Sequence, residues 1–274
     1  MTALAGELRK LPAFARRDFL VAWSYRMSFA SDLISLGVQA VVFAFIGKMI
    51  DPSELPTFQG QQVTFLEFAA VGIALGVFIH FGLERVSMAI RSEQLMGTLE
   101  SLLMTPTRTA TLQVGSVFFD LVYIPVQTAV FLTAIALGFG LHLEPAGILP
   151  ATAVLLVFIP FVWGLGVLSA AATLTFRRGG NAVALGAVLL ALGSGLYFPV
   201  ELLPQWIATG AELNPIALAV DGMRNALLGG AGWSETLPIV AKLVPLSALS
   251  LLLGILAFRL ALQREQRLGT LGLY

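Results

Sequence analysis

The chain contains no cysteine, which excludes disulfides and thiolate metal sites and leaves its redox compartment unreadable. Charge is nearly as scarce. Asp, Glu, Lys and Arg make up 12% of the 274 residues, against roughly a quarter in a soluble domain. The 16 basic and 16 acidic residues cancel, so the basic surface that grips nucleic acid is missing. There are two histidines, His80 and His142, and no His-Glu-x-x-His pair for zinc. No Gly-x-Ser-x-Gly elbow is present for acyl transfer. A phosphate-binding loop needs Gly-x-x-x-x-Gly-Lys-Ser/Thr. Gly47-Lys48 is followed by Met49 and has Val42 in place of the first glycine. Enzyme chemistry therefore finds no foothold, and no catalytic or metal residue is assigned. The first residues, with Glu7, Arg9, Lys10, Arg16, Arg17 and Asp18, lack an apolar core, so no signal peptide is expected.

Apolar residues are plentiful, at 57% of the chain, with a mean hydropathy of +0.88. So little polar surface cannot cover a fold in water, and the bilayer is the solvent this composition suits. Crossing its hydrocarbon core takes roughly 20 helical residues. Six stretches are long enough, near 28–50, 65–90, 109–141, 148–176, 181–199 and 237–260. The third and fourth meet at a tight turn around His142 to Gly147 and read as an antiparallel hairpin. In the fifth, Gly193-Ser194-Gly195 loosens the end and Pro199 stops it. The expected class is an all-α membrane protein of one domain, 1–274.

Basic residues give the orientation. Arg9, Lys10, Arg16, Arg17 and Arg26 precede the first stretch. Arg85, Arg91 and Arg108 flank the loop after the second, Arg177 and Arg178 follow the fourth, and Arg259, Arg264 and Arg267 end the chain. The opposite loops hold Asp51, Glu54, Glu144, Glu201, Glu212, Asp221 and Glu235, with Arg224 as the one basic residue well inside a loop. Lys48 and Lys242 sit at span ends, where they can snorkel. The positive-inside rule then puts both termini in the cytoplasm of a multi-pass cell-membrane (inner or plasma membrane) protein.

Three segments are neither spans nor plain loops. Residues 1–27 carry Phe14, Phe19, Trp23 and Tyr25 among arginines, which suits a helix lying at headgroup level. Residues 198–233 are too apolar for a solvated loop and too interrupted by Pro199, Pro204 and Pro215 for a span. Short re-entrant or interfacial helices buried against protein are the physical solution. Residues 91–106 form an acidic amphipathic segment on the cytoplasmic side. Read as a helix, they put Leu95, Leu99, Leu102 and Leu103 on one face and Glu93, Gly97, Glu100 and Ser101 on the other.

Polar residues within spans are costly. Ser28, Asp32, Ser35 and Gln39 make one stripe, and Asp120, Tyr123 and Gln127 another. Either stripe suits a substrate path or interhelical hydrogen bonds that fix packing. His80 reads as a packed helix–helix contact, and Glu84-Arg85 as a local pair.

Order, topology and two motifs together resemble the ABC-2 type of ATP-binding-cassette transporter permease, over nearly the whole chain. One motif is Glu93-x-x-x-Gly97-Thr98-Leu99-Glu100-x-Leu102-Leu103-x-Thr105-Pro106, similar to the family's cytosolic coupling segment. The other comprises Phe198-Pro199, Leu203-Pro204, Asn214-Pro215 and Asp221-Gly222-Met223-Arg224, similar to the outer re-entrant helices before the last span. The resemblance implies a permease powered by separate ATPase subunits that bind ATP and Mg, with no cofactor on this chain and a second permease copy or relative beside it. It implies export of hydrophobic or amphipathic cargo such as drugs, lipids or lipid-linked glycans. Coupling then falls to Glu93, Gly97, Thr98, Leu99, Glu100 and Leu103, and an external gate to Pro199, Leu203, Pro204, Asn214 and Pro215. Asp32, Gln39, Asp120 and Gln127 remain for pathway or packing. The competing reading is an ion- or proton-coupled secondary transporter, for which Asp32 and Asp120 supply the only intramembrane carboxylates of weight.

Overall fold

The computed structural model describes residues 11–24, 26–49, 55–95, 120–176, 179–211 and 213–268. These fold as an all-α chain: α1 (Leu11–Ser24), α2 (Arg26–Gly47), α3 (Phe65–Leu95), α4 (Asp120–Phe139), α5 (Ile148–Phe176), α6 (Gly179–Leu192), α7 (Gln205–Ala211), α8 (Pro215–Leu227) and α9 (Trp233–Leu268). Single 3-10 turns at Pro145–Gly147 and Val200–Leu202 lead into α5 and towards α7. The extended pairing among the described residues is one bridge, Phe58 with Gln61. It closes a tight turn in which Gln59 and Gly60 take positive φ, the geometry a two-residue hairpin demands.

Three helices among the described residues are long and apolar enough to cross a membrane, covering Phe65–Met88, Pro145–Phe176 and Trp233–Arg267. Two shorter apolar helices are Tyr123–Phe139 and Gly179–Leu192. The expected stretch 148–176 coincides with α5, and 65–90 and 237–260 lie within the longer α3 and α9. The expected fifth span is corrected: helix α6 stops at Leu192, and 193–198 are turn and bend. Gly195, at φ 74°, turns the chain where a continuing helix would need negative φ. At 14 residues, α6 rises only about 21 Å, short of a roughly 30 Å core.

Local chemistry sets the helix starts. At α3, Thr64 and Glu67 form a reciprocal capping box. The Glu67 carboxylate accepts from the Thr64 N–H and hydroxyl at 2.8 and 2.9 Å, while the Glu67 N–H donates to Thr64 Oγ1 at 3.3 Å. Glu67 Oε1 also accepts from the backbone N–H of His142 at 3.3 Å, pinning the α4–α5 connection to α3. At α8, the buried Asn214 caps Ile216 N–H at 3.0 Å and Pro215 opens the helix.

Helix α5 is the hub, packing along α9 and against α3, α6 and α8. Its Phe158 stacks against Phe161 and meets Phe78 of α3, with ring centroids 5.3 and 6.1 Å apart. The α5–α9 seam is built from small residues: a Cβ on Gly254 would overlap the Gly164 carbonyl, and one on Gly164 would overlap the Ser250 backbone. Ser250 Oγ donates across the seam to Phe161 O at 2.9 Å. Small residues that let backbones approach are how helices associate where no hydrophobic force separates protein from lipid. The expected α4–α5 hairpin has its turn, but both helices pack on α3 and not along each other. The connector from Gly140 to Gly147 is long enough for its two arms to part.

Candidate functional site: an arginine-centred cap

One end of the bundle is closed by the segment from Gly193 to Leu228, and Arg224 is at its centre. This side chain, on the buried face of α8, is 1% exposed. Its Nε–H and Nη2–H donate to Phe68 O at 3.2 and 3.1 Å, Nη1–H to Gly195 O at 2.8 Å, and Nη2–H to Leu196 O at 2.9 Å. The guanidinium carbon lies 3.5 Å from the centroid of the Phe68 ring. A buried cation normally needs a carboxylate against it. Here three carbonyl dipoles and an aromatic face take most of that role. Burial lowers the Arg224 pKa to about 9, opposed by Asp221 and Glu201, which leaves it charged at neutral pH.

Gly72 of α3 makes the arrangement possible. A Cβ there would overlap Leu196 O and crowd Arg224 Nη2. Next to it, a Cβ on Gly76 would come within 3.0 Å of the Tyr197 hydroxyl. Leu196 and Tyr197 thus lie on a glycine face of α3, and Arg224 staples them to it.

Beside the arginine opens a cavity of about 480 Å3, walled by Phe58, Phe68 and Pro199 and edged by Glu201, Asp221 and Lys242. Asp221 is exposed along the cavity, and its carboxylate accepts no hydrogen bond among the described residues, although its backbone oxygen accepts from Asn225 Nδ2–H at 2.9 Å. Burial pushes its carboxyl up to about 6; Arg224 pulls it down and Glu201 raises it further.

The gate residues expected from sequence all belong to this cap. Pro199 is buried before the Val200–Leu202 turn, Leu203 ends that turn half-buried, and Pro204 O accepts from the N–H groups of Ile207 and Ala208 that open α7. Asn214 does double duty, since its Nδ2–H also donates to Leu190 O at 2.7 Å and ties α8 to the end of α6. Leu202, Trp206 and Leu213 stand 74, 78 and 76% exposed on the cap. Arg224 was no expected site residue, although a lone cation in an acidic stretch was the signal that could have found it.

The residues expected to couple, Gly97, Thr98, Leu99, Glu100 and Leu103, lie outside the described residues, and Glu93 is described only as part of the α3 backbone. The same holds for Asp32, Gln39 and Asp120, whose backbones are helical. Gln127 is 1% exposed, and neither atom of its amide has a hydrogen-bond partner among the described residues. Tyr123, one turn earlier, has the Arg85 guanidinium 4.9 Å from its ring centroid. His80 corrects the expectation of a packed contact: its side chain is 72% exposed and pairs one turn along with Glu84 at 3.5 Å. Arg85 thus faces Tyr123 of α4 across the helix pair. Among the described residues no group of three or more His, Asp or Glu side chains could hold a metal.

Comparison with known proteins gives a family and a relative. The profile of the ABC-2 type transporter family matches residues 9–228. ABC transporter G family member 20 of Dictyostelium discoideum is 27% identical over 210 residues, 73% of this chain and 27% of that protein. The chain thus spans about a quarter of that relative's length. The matched region takes in both the expected coupling motif and the arginine-centred cap, and the chain belongs to the ABC-2 type transporter family as a membrane permease component.

Proposed function

We propose that this chain is the membrane-spanning subunit of an ATP-driven exporter of hydrophobic or amphipathic cargo, powered by a separate ATPase. The observation that carries the reading is the course of α3. One helix of 31 residues, about 46 Å long, runs from the cap at its first turn into the acidic segment at its last. Such a rod spans a bilayer, and its two ends meet the two motifs of the family. With α6 and the turn after it together making the fifth crossing, six spans with cytoplasmic termini and an outward-facing cap fit the charge asymmetry. The partner ATPase pushes on Glu93–Pro106, where Glu93 and Glu100 meet basic or hydrogen-bonding groups and Gly97 admits its backbone. The spans then rock between inward- and outward-open states in a pair of permeases.

The test is assembly. Losing one member of a desolvated charge pair costs roughly 2–5 kcal/mol of affinity, so the double change Glu93→Ala with Glu100→Ala should release the copurifying ATPase or uncouple its hydrolysis from export. Normal binding and normal cargo-stimulated hydrolysis in that variant would remove the coupling role. Transport driven by a proton gradient without any ATPase would favour the secondary-transporter reading instead.

A further inference from the structure

We propose that Arg224 is the latch through which α3 moves the cap, making it a positioning residue for cargo release. The inference rests on the coupling reading above and assigns the path by which the stroke reaches the exit side.

Stiffness singles out α3. Of the three membrane-length helices, α5 carries Pro160 and α9 carries Pro238 and Pro245 in their interiors, each removing a ladder hydrogen bond. From Phe65 to Leu95 there is no proline. A displacement imposed at the coupling end therefore arrives at Phe68 and Gly72 with little lost to bending. At that end the chain offers one strong handle. The Phe68 carbonyl accepts two bonds from Arg224, whose remaining donors hold Gly195 and Leu196. Arg224 belongs to α8, which also packs on α5 and α9. If α3 slides relative to α5 and α9, either the guanidinium surrenders Phe68 O in a buried site or the 195–197 turn and α8 follow.

The glycine face of α3 makes the grip shape-specific. Leu196 and Tyr197 sit where any side chain at Gly72 or Gly76 would stand, so the turn is seated in a groove of α3 and cannot roll off it without breaking the latch. The rest of the cap is linked in series. Asn214 ties the start of α8 to Leu190 O, and the Val200–Leu202 turn leads directly towards α7. The fully buried cation thereby joins elements 28 to 156 positions apart in sequence. An ordinary packing residue at this place would hold the fold together without having to transmit motion.

Two reporters separate these roles, and the absence of native cysteine lets each be introduced alone. Ser92→Cys reads the coupling end of α3, and the exposed Leu202→Cys reads the cap. Maleimide labelling rates are measured in the complex with its copurifying ATPase, without nucleotide and after trapping with ATP and vanadate. With Arg224 present, both rates should change, and over the same range of ATP concentration. In Arg224→Lys, which keeps the charge but not the planar fork, the Ser92 change should survive while most of the Leu202 change is lost. A surviving Ser92 response also shows that the variant has folded and still engages the ATPase. A full Leu202 response in Arg224→Lys and in Arg224→Gln overturns the latch. So does a Leu202 response in the unsubstituted latch that is absent or follows a different ATP dependence from Ser92. Silence at Ser92 defeats the coupling reading itself, and the latch with it.

Discussion

The α5–α9 seam and the Arg224 cap hold the same protein together by opposite means. The seam has glycine against glycine and one hydroxyl-to-carbonyl bond, Ser250 to Phe161. The cap has a buried cation, three carbonyls, an aromatic face and a capping asparagine. The seam joins two continuous helices whose backbone groups are already paired, so close approach is all it can add. The cap joins the turn carbonyls of Gly195 and Leu196, which have no helical donor, to the first turn of α3, where Arg224 adds donors to a carbonyl already in the helix ladder. Arginine suits that task because one planar group presents five donors in fixed directions. The difference indicates that the seam resists separation over a broad area, while the cap depends on a single side chain.

That dependence predicts the largest effect. Arg224→Ala leaves the Gly195 and Leu196 carbonyls short of donors, returns Phe68 O to its helical bond alone, and opens a hole beside Phe68. It should cost about 3–5 kcal/mol, the range for breaking a buried charged network, read as a drop in the thermal midpoint in detergent. Hydrogen exchange should rise at 193–198 and leave α5 protected. Equal deprotection of α5 would mean that cap and seam form one cooperative unit.

On the seam, Gly254→Ala forces a methyl onto the Gly164 carbonyl and pushes α9 from α5. Overpacking of this kind costs about 1–3 kcal/mol. The loss should appear as exchange along α5 and α9, with the Leu202 reporter unchanged. A smaller effect is expected from Asn214→Ala, which removes the cap of α8 and a donor to Leu190 O. Lost helix caps cost about 0.5–2 kcal/mol, and here the loosening should be confined to the junction of α6 and α8.

Long apolar runs were the readable part of the sequence. Residues 148–176 are α5 because apolar residues continue without a charged one, and α3 and α9 carry apolar runs nearly as long. The start of α3 was also readable, since Thr64-x-x-Glu67 is a capping box, yet the expected span was placed on hydropathy alone. Position 181–199 misled because hydropathy continues through Leu196 while the backbone turns at Gly195. His80 looked buried because its neighbours are apolar, whereas it points outward to Glu84. Arg224 was visible only as an oddity of charge. Its partners at Phe68 and Leu196 are brought to it by tertiary packing, which no local pattern encodes. Of the gate motif, Asn214-Pro215 was legible as a helix start, but its bond to Leu190 was not.

The smallest effect comes from Asp221, because solvent screens its exposed carboxylate, and its pH dependence tests whether the cap's electrostatics are those of a buried site. The carboxyl is raised from 3.8 to about 6, chiefly by burial, so between those values the folded state holds a proton that the unfolded chain has released. Stability then falls as pH rises through this window, because the unfolded state binds fewer protons. The contribution is complete below 3.8 and lost as pH passes through about 6. Arg224 and Glu201 act on the group in opposite senses, and Lys242 edges the same cavity. Asp221→Asn cannot titrate. Its thermal midpoint should therefore match the parent near pH 4 and decline less steeply towards pH 6.5, with the gap between the two curves opening only across the window. Parallel curves would mean that the carboxylate is solvated like an ordinary surface group, and that the cap is held by hydrogen bonding to Arg224 without an electrostatic contribution from its rim.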